Sequence, residues 1–301
     1  LADVDGDGLA DLVYVESGRV TIWLNQSGNG WSDPIVVRGT PPVTNADAVR
    51  IVGLLGQGTA GVLWSYDFGT FADSSYKFLD LTGGIKPYLL NERDNHTGAR
   101  TLVEYAPSTR FYLQDEPRPE TRWHTRLPFP VQVVARVEVI DEISRGKLTT
   151  EYRYHQGYWD GDEREFRGFG IVEQLDTESF ARYHAAGLHG TLPFETVDRV
   201  RFSPSTLTRT FFHQGLVQDS AGAWLEPDHT TAMFSDDPPM FGRAERTELV
   251  GIARAAAHGA EPSRLRHALR ALRGSVLRSE LYALDGLPFS TRPYTVTESV
   301  Y

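Results

Sequence analysis

The sequence predicts a mainly β protein, and three observations carry that prediction. In residues 148–155 successive side chains alternate between the two faces of a predicted strand, and one of these faces is polar, as in a half-buried strand. A second strand-like run follows at 166–175. A loop motif near the start recurs about 50 residues later, a period typical of four-stranded β-propeller blades. The composition agrees, because 15 Phe and 13 Tyr residues accompany 28 Gly residues.

The central hairpin is expected to place aromatic side chains on one face of the sheet. Tyr152 and Tyr154 fall on one side of the first strand. Glu151, Arg153 and His155 fall on the other side, which is predicted to be polar and to face outward.

The second arm of this hairpin continues the aromatic pattern. A polar turn is predicted over residues 156–163, with Tyr158 and Trp159 inside it. Phe166 and Phe169 of the second arm are expected to pack into the same sheet as the tyrosines of the first.

The first residues of the chain show a calcium-loop pattern. Carboxylates at alternate positions can surround one cation, while intervening glycines allow the tight turn and a backbone carbonyl completes the shell. The predicted Ca²⁺ ligands are Asp3, Asp5, Asp7, Leu9 and Asp11. A strand follows, and Tyr14 stands where an EF-hand has glutamate, so the motif is closer to the FG-GAP loops of propeller blades. The alternative is a solvated Asp/Gly turn.

A second copy of this loop has lost its carboxylates. Residues 53–64 align without gaps on residues 3–14, and the glycines Gly6 and Gly8 match Gly56 and Gly58. We therefore expect the loop conformation to be kept and the metal site to be lost. Residues 1–85 are predicted to be one or two C-terminal blades of a β-propeller.

The remaining elements follow the same β pattern with one exception. Strands are predicted at residues 19–24, 35–38, 49–52, 100–105, 110–113, 131–140, 206–212 and 275–282. One short helix is predicted near residues 263–273, stopped by Gly274. Its arginines suggest either a basic partner-binding helix or a solvated face, and the acidic chain favours the second.

Composition excludes several classes of protein. The net charge of −10 argues against general binding to nucleic acid or to an anionic membrane. The absence of Cys excludes disulfides and thiolate chemistry. The sequence starts at Leu1, just before a motif, and ends at Tyr301 in a strand-like run, so we expect a piece of a longer protein.

A search for catalytic motifs predicts no catalytic residues. The pair Glu163 and Glu165 is spaced like the glutamates of ADP-ribosyltransferases, which also need a Ser-Thr-Ser strand. The nearest upstream Ser-Thr is Ser108-Thr109, which Arg110 follows, so we expect an acidic turn at the glutamate pair instead.

Three segments resemble a known family. Residues 152–160, 165–170 and 269–282 are similar to the middle region of the insecticidal toxin-complex (Tc) B component, a family related to virulence-plasmid toxin proteins and Rhs/YD-repeat shell proteins. The resemblance implies that residues 86–301 form a β-rich shell region of antiparallel Rhs/YD-type sheet.

The resemblance also implies a structural function without catalysis. The shell, built with the C component, would enclose a cytotoxic segment, and the propeller would dock to the A component, the translocation pore. It implies a secreted or extracellular protein, or a bacterial cytoplasmic one before release, with no nucleic acid and no membrane contact by this fragment. The alternatives are a calcium-dependent adhesion module and a polysaccharide-active β-propeller enzyme.

Overall fold

A computed structural model divides the chain into two compact units. It describes residues 1–43, 48–65, 76–176, 179–185, 187–188, 194–218, 224–225, 227–236, 267, 269–299 and 301. The first unit comprises residues 1–90 with 129–132, and the second comprises residues 91–128 with 133–301.

Two antiparallel sheets form the first unit. One contains β1 (Leu12–Glu16), β2 (Arg19–Trp23) and β3 (Ile35–Arg38), in that order. The other contains β4 (Val49–Val52), β5 (Gly61–Ser65) and β6 (Tyr76–Leu79). Both sheets contribute to one apolar core around Val4, Val20, Ile22, Val62 and Trp64. Each sheet has three strands in the described part of the chain, whereas the repeat period suggests blades of four.

The sequence repeat is visible in the backbone of this unit. Ala2 pairs with Asp11 across the first loop, and Val52 pairs with Gly61 across the second, each partner shifted by 50 positions. The matched glycines share the left-handed conformation, with φ of 84° and 92° in the first loop and 64° and 78° in the second. The predicted conservation of loop conformation is therefore confirmed.

The second unit is organised by one eight-stranded sheet. Its strands are β7 (Glu92–Asp94), β8 (Ala99–Pro107), β9 (Gln132–Asp141), β10 (Gly146–Asp160), β11 (Glu165–Asp176), β12 (Thr206–Phe212), β15 (Val276–Ala283) and β16 (Thr295–Glu298). They lie in the order 16-15-12-11-10-9-8-7. The neighbouring pairs β7–β8, β9–β10, β10–β11, β11–β12, β12–β15 and β15–β16 are antiparallel. A small hairpin joins β13 (Val217–Gln218) to β14 (Trp224–Leu225).

The prediction of a strand at residues 110–113 is wrong. The segment belongs to helix α1 (Ser108–Asp115), whose buried residues are Ser108, Phe111 and Asp115. Their spacing of three and four places them on one helical face, which faces the second unit's sheet. A further helix, α2 (Phe180–Tyr183), begins at Ser179, whose side chain accepts a hydrogen bond from the Arg182 amide. The expectation of a single helix is therefore also wrong.

The predicted turn of the central hairpin is too long. β10 continues to Asp160, so Tyr158 and Trp159 lie in the strand, and the turn spans only residues 161–164. The polar residue Gln156 adopts a φ of 58°, and the register shifts between Gly157 and Trp159. Because of this bulge, the pairing of β10 with β11 continues beyond residue 156, where the sequence predicted a turn.

The helix predicted near residues 263–273 lies largely outside the described residues. His267, Leu269 and Arg270 are helical, and the Ala271 amide donates a hydrogen bond to the His267 carbonyl. Gly274 follows with a φ of 82°, as a helix-ending glycine does.

The predominance of antiparallel strands confirms the mainly β prediction. Within the described residues, no helix is both long and apolar enough to cross a membrane.

Candidate functional site

Three of the predicted calcium ligands converge at the first loop. Carboxylate oxygens of Asp3, Asp5 and Asp11 all lie within 4.8 Å of one another. Asp7 is outside this group, and its side chain accepts a hydrogen bond of 2.7 Å from the amide of Leu9. Three carboxylates this close together repel one another, and a bound cation would offset that repulsion. A hard cation that prefers oxygen ligands suits these three side chains.

Asp11 has a structural role in the loop. The residue is fully buried, and its two carboxylate oxygens accept 2.9 Å hydrogen bonds from the amides of Val4 and Asn25. Asp3 accepts hydrogen bonds from the amides of Gly6 and Gly8 at 2.6 and 3.0 Å. The chain therefore folds around these carboxylates rather than merely exposing them.

A residue that the sequence did not indicate also reaches this loop. The Tyr88 hydroxyl donates a 2.9 Å hydrogen bond to Asp5, which lies 83 residues away in sequence. This hydrogen bond, together with the negative charge of Asp5, raises the pKa of Tyr88. Tyr88 adopts a φ of 61°, an uncommon conformation for an aromatic residue.

The second loop has no space for the buried carboxylate of the first. Gly61 occupies the position of Asp11, and a Cβ atom there would lie 2.4 Å from the Leu79 carbonyl and 2.5 Å from the Phe78 ring. The packing of the second loop therefore leaves no room for an aspartate side chain at this position.

The aromatic residues of the hairpin form a cluster with α1. The Phe169 ring lies 4.8 Å from Tyr154, 5.4 Å from Phe166 and 5.8 Å from Trp123, measured between centroids. Phe111 of α1 contacts Tyr154 at 5.5 Å. These rings are half-buried or buried, so the prediction that they pack into the sheet is confirmed.

The prediction of a polar, outward-facing side for β10 is wrong for His155. Its side chain is only 4% exposed, and its Nδ1 atom lies 2.7 Å from Asp115 of α1. Trp123 donates to the same carboxylate oxygen at 2.8 Å. Glu151 is half-buried and pairs with Arg182 at 2.5 Å, whereas Arg153 is exposed as expected.

Two groups of charged side chains lie on the same face of the sheet as His155. Glu173 lies 3.8 Å from His155 and pairs with Arg209 at 2.8 Å. On the neighbouring strands Arg278 pairs with Glu280 at 2.6 Å and with Glu298 at 2.7 Å. Buried charges are costly unless they are paired. The first group of pairs joins strands β10, β11 and β12, and the second joins β15 and β16.

The pKa shifts in this network follow from its geometry. Burial alone would lower the pKa of His155, but its contacts with Asp115 and Glu173 outweigh burial and raise it. Burial would raise the pKa of Glu173, but His155 and Arg209 together lower it to about 2.

The glutamate pair of the hairpin turn lies among arginines. Arg270 lies 3.2 Å from Glu163 and 3.0 Å from Glu165, and Arg273 also pairs with Glu165. Glu165, His267, Arg270, Ala271 and Arg273 line an open cavity of about 520 Å³. Ion pairing of both glutamates with arginines suits a structural turn.

Sequence reasoning missed the long-range partners of both sites. Asp115 and His155 are 40 residues apart, and no spacing rule connects them. The alternation of charged residues in Glu151-Tyr152-Arg153 and Arg278-Ser279-Glu280 was the available signal for a charged sheet face.

Two family models match the chain. The insecticide toxin TcdB middle/N-terminal region matches residues 25–185, and the TcdB middle/C-terminal region matches residues 267–301. A search of the curated proteins found no match.

Solved structures of toxin complexes are similar over nearly the whole chain. The crystal structure of TcdB2-TccC3 without its hypervariable C-terminal region is 31% identical over 99% of this chain, with a TM-score of 0.74. The Photorhabdus luminescens Tc holotoxin pore carrying a TccC3 mutation gives the same three values. The crystal structure of TcdB2-TccC3 is 29% identical over 98%, with a TM-score of 0.74.

The chain spans 13% of the length of each of these matched chains. One family model alone covers more than half of the sequence, and the similarity to solved structures extends over 99% of the chain. The chain therefore belongs to the insecticide toxin TcdB middle-region family.

Proposed function

We propose that the chain is a non-catalytic structural part of a bacterial toxin complex. Its second unit forms part of a β-shell that encloses a cytotoxic segment, together with a C component. Its first unit is the end of an FG-GAP-like β-propeller that docks to the translocation-pore component. Such a protein acts after release from the bacterium.

The continuous eight-stranded sheet is the observation that carries this proposal. β10 and β11 run for 15 and 12 residues, far longer than a typical strand of about 5–6 residues. Long, laterally continuous strands suit a container wall, because each interior strand has both edges paired. The similarity to TcdB2-TccC3 structures supports toxin-complex partners for the whole protein.

Calcium has a structural role in the first unit. One Ca²⁺ bound by Asp3, Asp5 and Asp11, with Asp7 and the Leu9 carbonyl nearby, would neutralise the clustered carboxylates and fix the loop. The support is the convergence of three carboxylates within 4.8 Å. The second loop binds none, since its matching positions carry no carboxylate.

Limited proteolysis of the assembled complex tests the shell function. The full-length protein is purified with its C component and treated with protease, and the C component's C-terminal segment is followed. The proposal expects that segment to survive in the complex and to be digested in the C component alone. Equal digestion in both samples contradicts the proposal.

A further inference from the structure

The two faces of the large sheet differ sharply in charge. Directly paired residues of antiparallel strands lie on the same face, so the register defines rows of side chains across the sheet. The rows of the charged face are His155–Ile171–Phe211–Arg278–Glu298, Arg153–Glu173–Arg209–Glu280–Val296 and Glu151–Leu175–Leu207–Tyr282. The rows of the neutral face are Tyr154–Val172–Thr210–Ser279–Thr297, Tyr152–Gln174–Thr208–Leu281–Thr295 and Thr150–Asp176–Thr206–Ala283.

The chain itself covers the charged face. The Ala232 carbonyl accepts a hydrogen bond from Arg209 at 3.1 Å, and the Phe234 amide donates to Glu280 at 3.0 Å. Met233, between them, packs in an apolar cluster with Phe211, which is fully buried. Residues 232–234 therefore cover this face around Arg209, Phe211 and Glu280.

The neutral face is more open: none of the residues in its three rows is fully buried, although Tyr154 packs against Phe111 of α1. Leu148, which precedes Thr150 on the same face of β10, is 70% exposed, and Leu281 is 38% exposed. Asp176 is the one charged residue in the three neutral rows, and the Thr150 hydroxyl and the Gln174 amide donate hydrogen bonds to it. A sheet face open to bulk water normally carries charged residues, which keep strands soluble and prevent edge association.

We propose that the neutral face lines the inside of the shell and contacts the enclosed polypeptide of the C component. This inference rests on the proposed function. The charged face is less suited, because residues 232–234 already cover it at Arg209, Phe211 and Glu280. The similar TcdB2-TccC3 complex contains a hypervariable C-terminal region, which one of its crystal structures lacks. A surface without fixed charges can contact an enclosed polypeptide of variable sequence, because it neither repels side chains of like charge nor binds those of opposite charge tightly.

Threonine chemistry fits the same occupant. A hydroxyl both donates and accepts a hydrogen bond, so it can satisfy the backbone of a non-native chain of any sequence. The neutral rows offer such hydroxyls at Thr208 and Thr210 of β12 and at Thr297 of β16.

Site-specific photo-crosslinking tests this assignment in the assembled complex of the full-length protein with its C component. Thr208 on the neutral face and, separately, the exposed Arg153 on the charged face are each replaced by p-benzoylphenylalanine. We expect irradiation to join the Thr208 position to the C component's C-terminal segment, with at least a tenfold lower yield from the Arg153 position. Thr297, which is exposed on the neutral face, replaces Thr208 if that variant fails to assemble.

The outcomes separate this inference from the proposed function. Crosslinks to the segment from Arg153 alone, or equally from both positions, overturn the lining assignment. An absence of crosslinks from both neutral-face positions overturns it too, when the segment is protected from protease. A segment that is digested in the wild-type complex overturns the shell function and this inference with it.

Discussion

The Nδ1 atom of His155 lies 2.7 Å from the Oδ2 atom of Asp115, with both side chains almost fully buried. Trp123 donates to the same oxygen at 2.8 Å. This contact fixes helix α1 against strand β10 and joins the aromatic cluster to the charged face. It places an ionisable pair at the centre of the second unit, so stability should depend on pH.

Stability should fall as pH rises above the ordinary pKa of histidine. The pKa of His155 is raised above its usual 6.5, because its contacts with Asp115 and Glu173 outweigh burial. Protonated His155 therefore stabilises the fold fully below pH 6.5, and this contribution disappears as pH rises through the raised pKa. Melting temperatures measured from about pH 5 to about pH 9 should fall more steeply for the wild type than for His155→Gln.

A surface histidine provides the control for this titration. The side chain of His96 is 89% exposed, so His96→Gln should follow the wild-type curve. Glu173 acts in the opposite direction: its pKa, lowered to about 2, gives stability that is present above about pH 4.5 and lost as pH falls further. Parallel curves for the wild type and His155→Gln would show that the pair does not control stability.

Calcium should bind the first loop at one site. Calorimetric titration with Ca²⁺ should give a stoichiometry near one. Asp5→Asn should abolish this binding. The variant should still fold, because Asp5 is not fully buried. Asp11→Asn is the less informative variant, because Asp11 holds two backbone amides. Two binding sites, or unchanged binding after Asp5→Ala together with Asp7→Ala, would refute the calcium site.

The packing of Trp123 against the hairpin bulge should make Gly157 intolerant of substitution. A Cβ atom at Gly157 would lie 2.6 Å from the Trp123 ring and 3.1 Å from Leu127. Gly157→Ala should therefore reduce the free energy of unfolding by about 1–3 kcal/mol. Gly161 has nothing within 4 Å of its Cβ position, so Gly161→Ala should stay within about 0.5 kcal/mol. Similar denaturant midpoints for the two variants would contradict this packing.

Sequence reasoning succeeded where the controlling geometry is local. The glycine pairs of the two loops and the strand at residues 206–212 were predictable, because left-handed turns and extended strands depend on near neighbours. It failed at residues 110–113, where Phe111 and Tyr112 suggested a strand. Packing of Phe111 and Asp115 against partners far along the chain overrides that preference.

The candidate sites were predictable to the same extent. The acidic loop is a local pattern, so its carboxylates could be named from spacing, but Tyr88 could not, because it approaches from 83 residues away. The neutral and charged faces depend on the register of five strands, and register is decided by the whole sheet.

Loss of the glutamate pair should leave any toxic activity unchanged. Glu163 and Glu165 pair with partly exposed arginines, and such pairs contribute at most about 1 kcal/mol each. Glu163→Gln together with Glu165→Gln should therefore assemble normally and retain wild-type activity within assay error. A selective loss of activity by a normally assembled complex would assign the pair a catalytic role.

Protease protection of the enclosed segment, compared between Phe169→Ala and Arg153→Ala complexes, tests the central claim most directly. Phe169 contacts three aromatic rings, so its truncation should cost about 3 kcal/mol, whereas exposed Arg153 should cost within about 0.5 kcal/mol. If the hairpin is shell wall, the Phe169→Ala complex should lose the segment to protease or fail to assemble, while Arg153→Ala should protect it fully. Full protection by a Phe169→Ala complex that melts well below the wild type would contradict the shell function of this sheet.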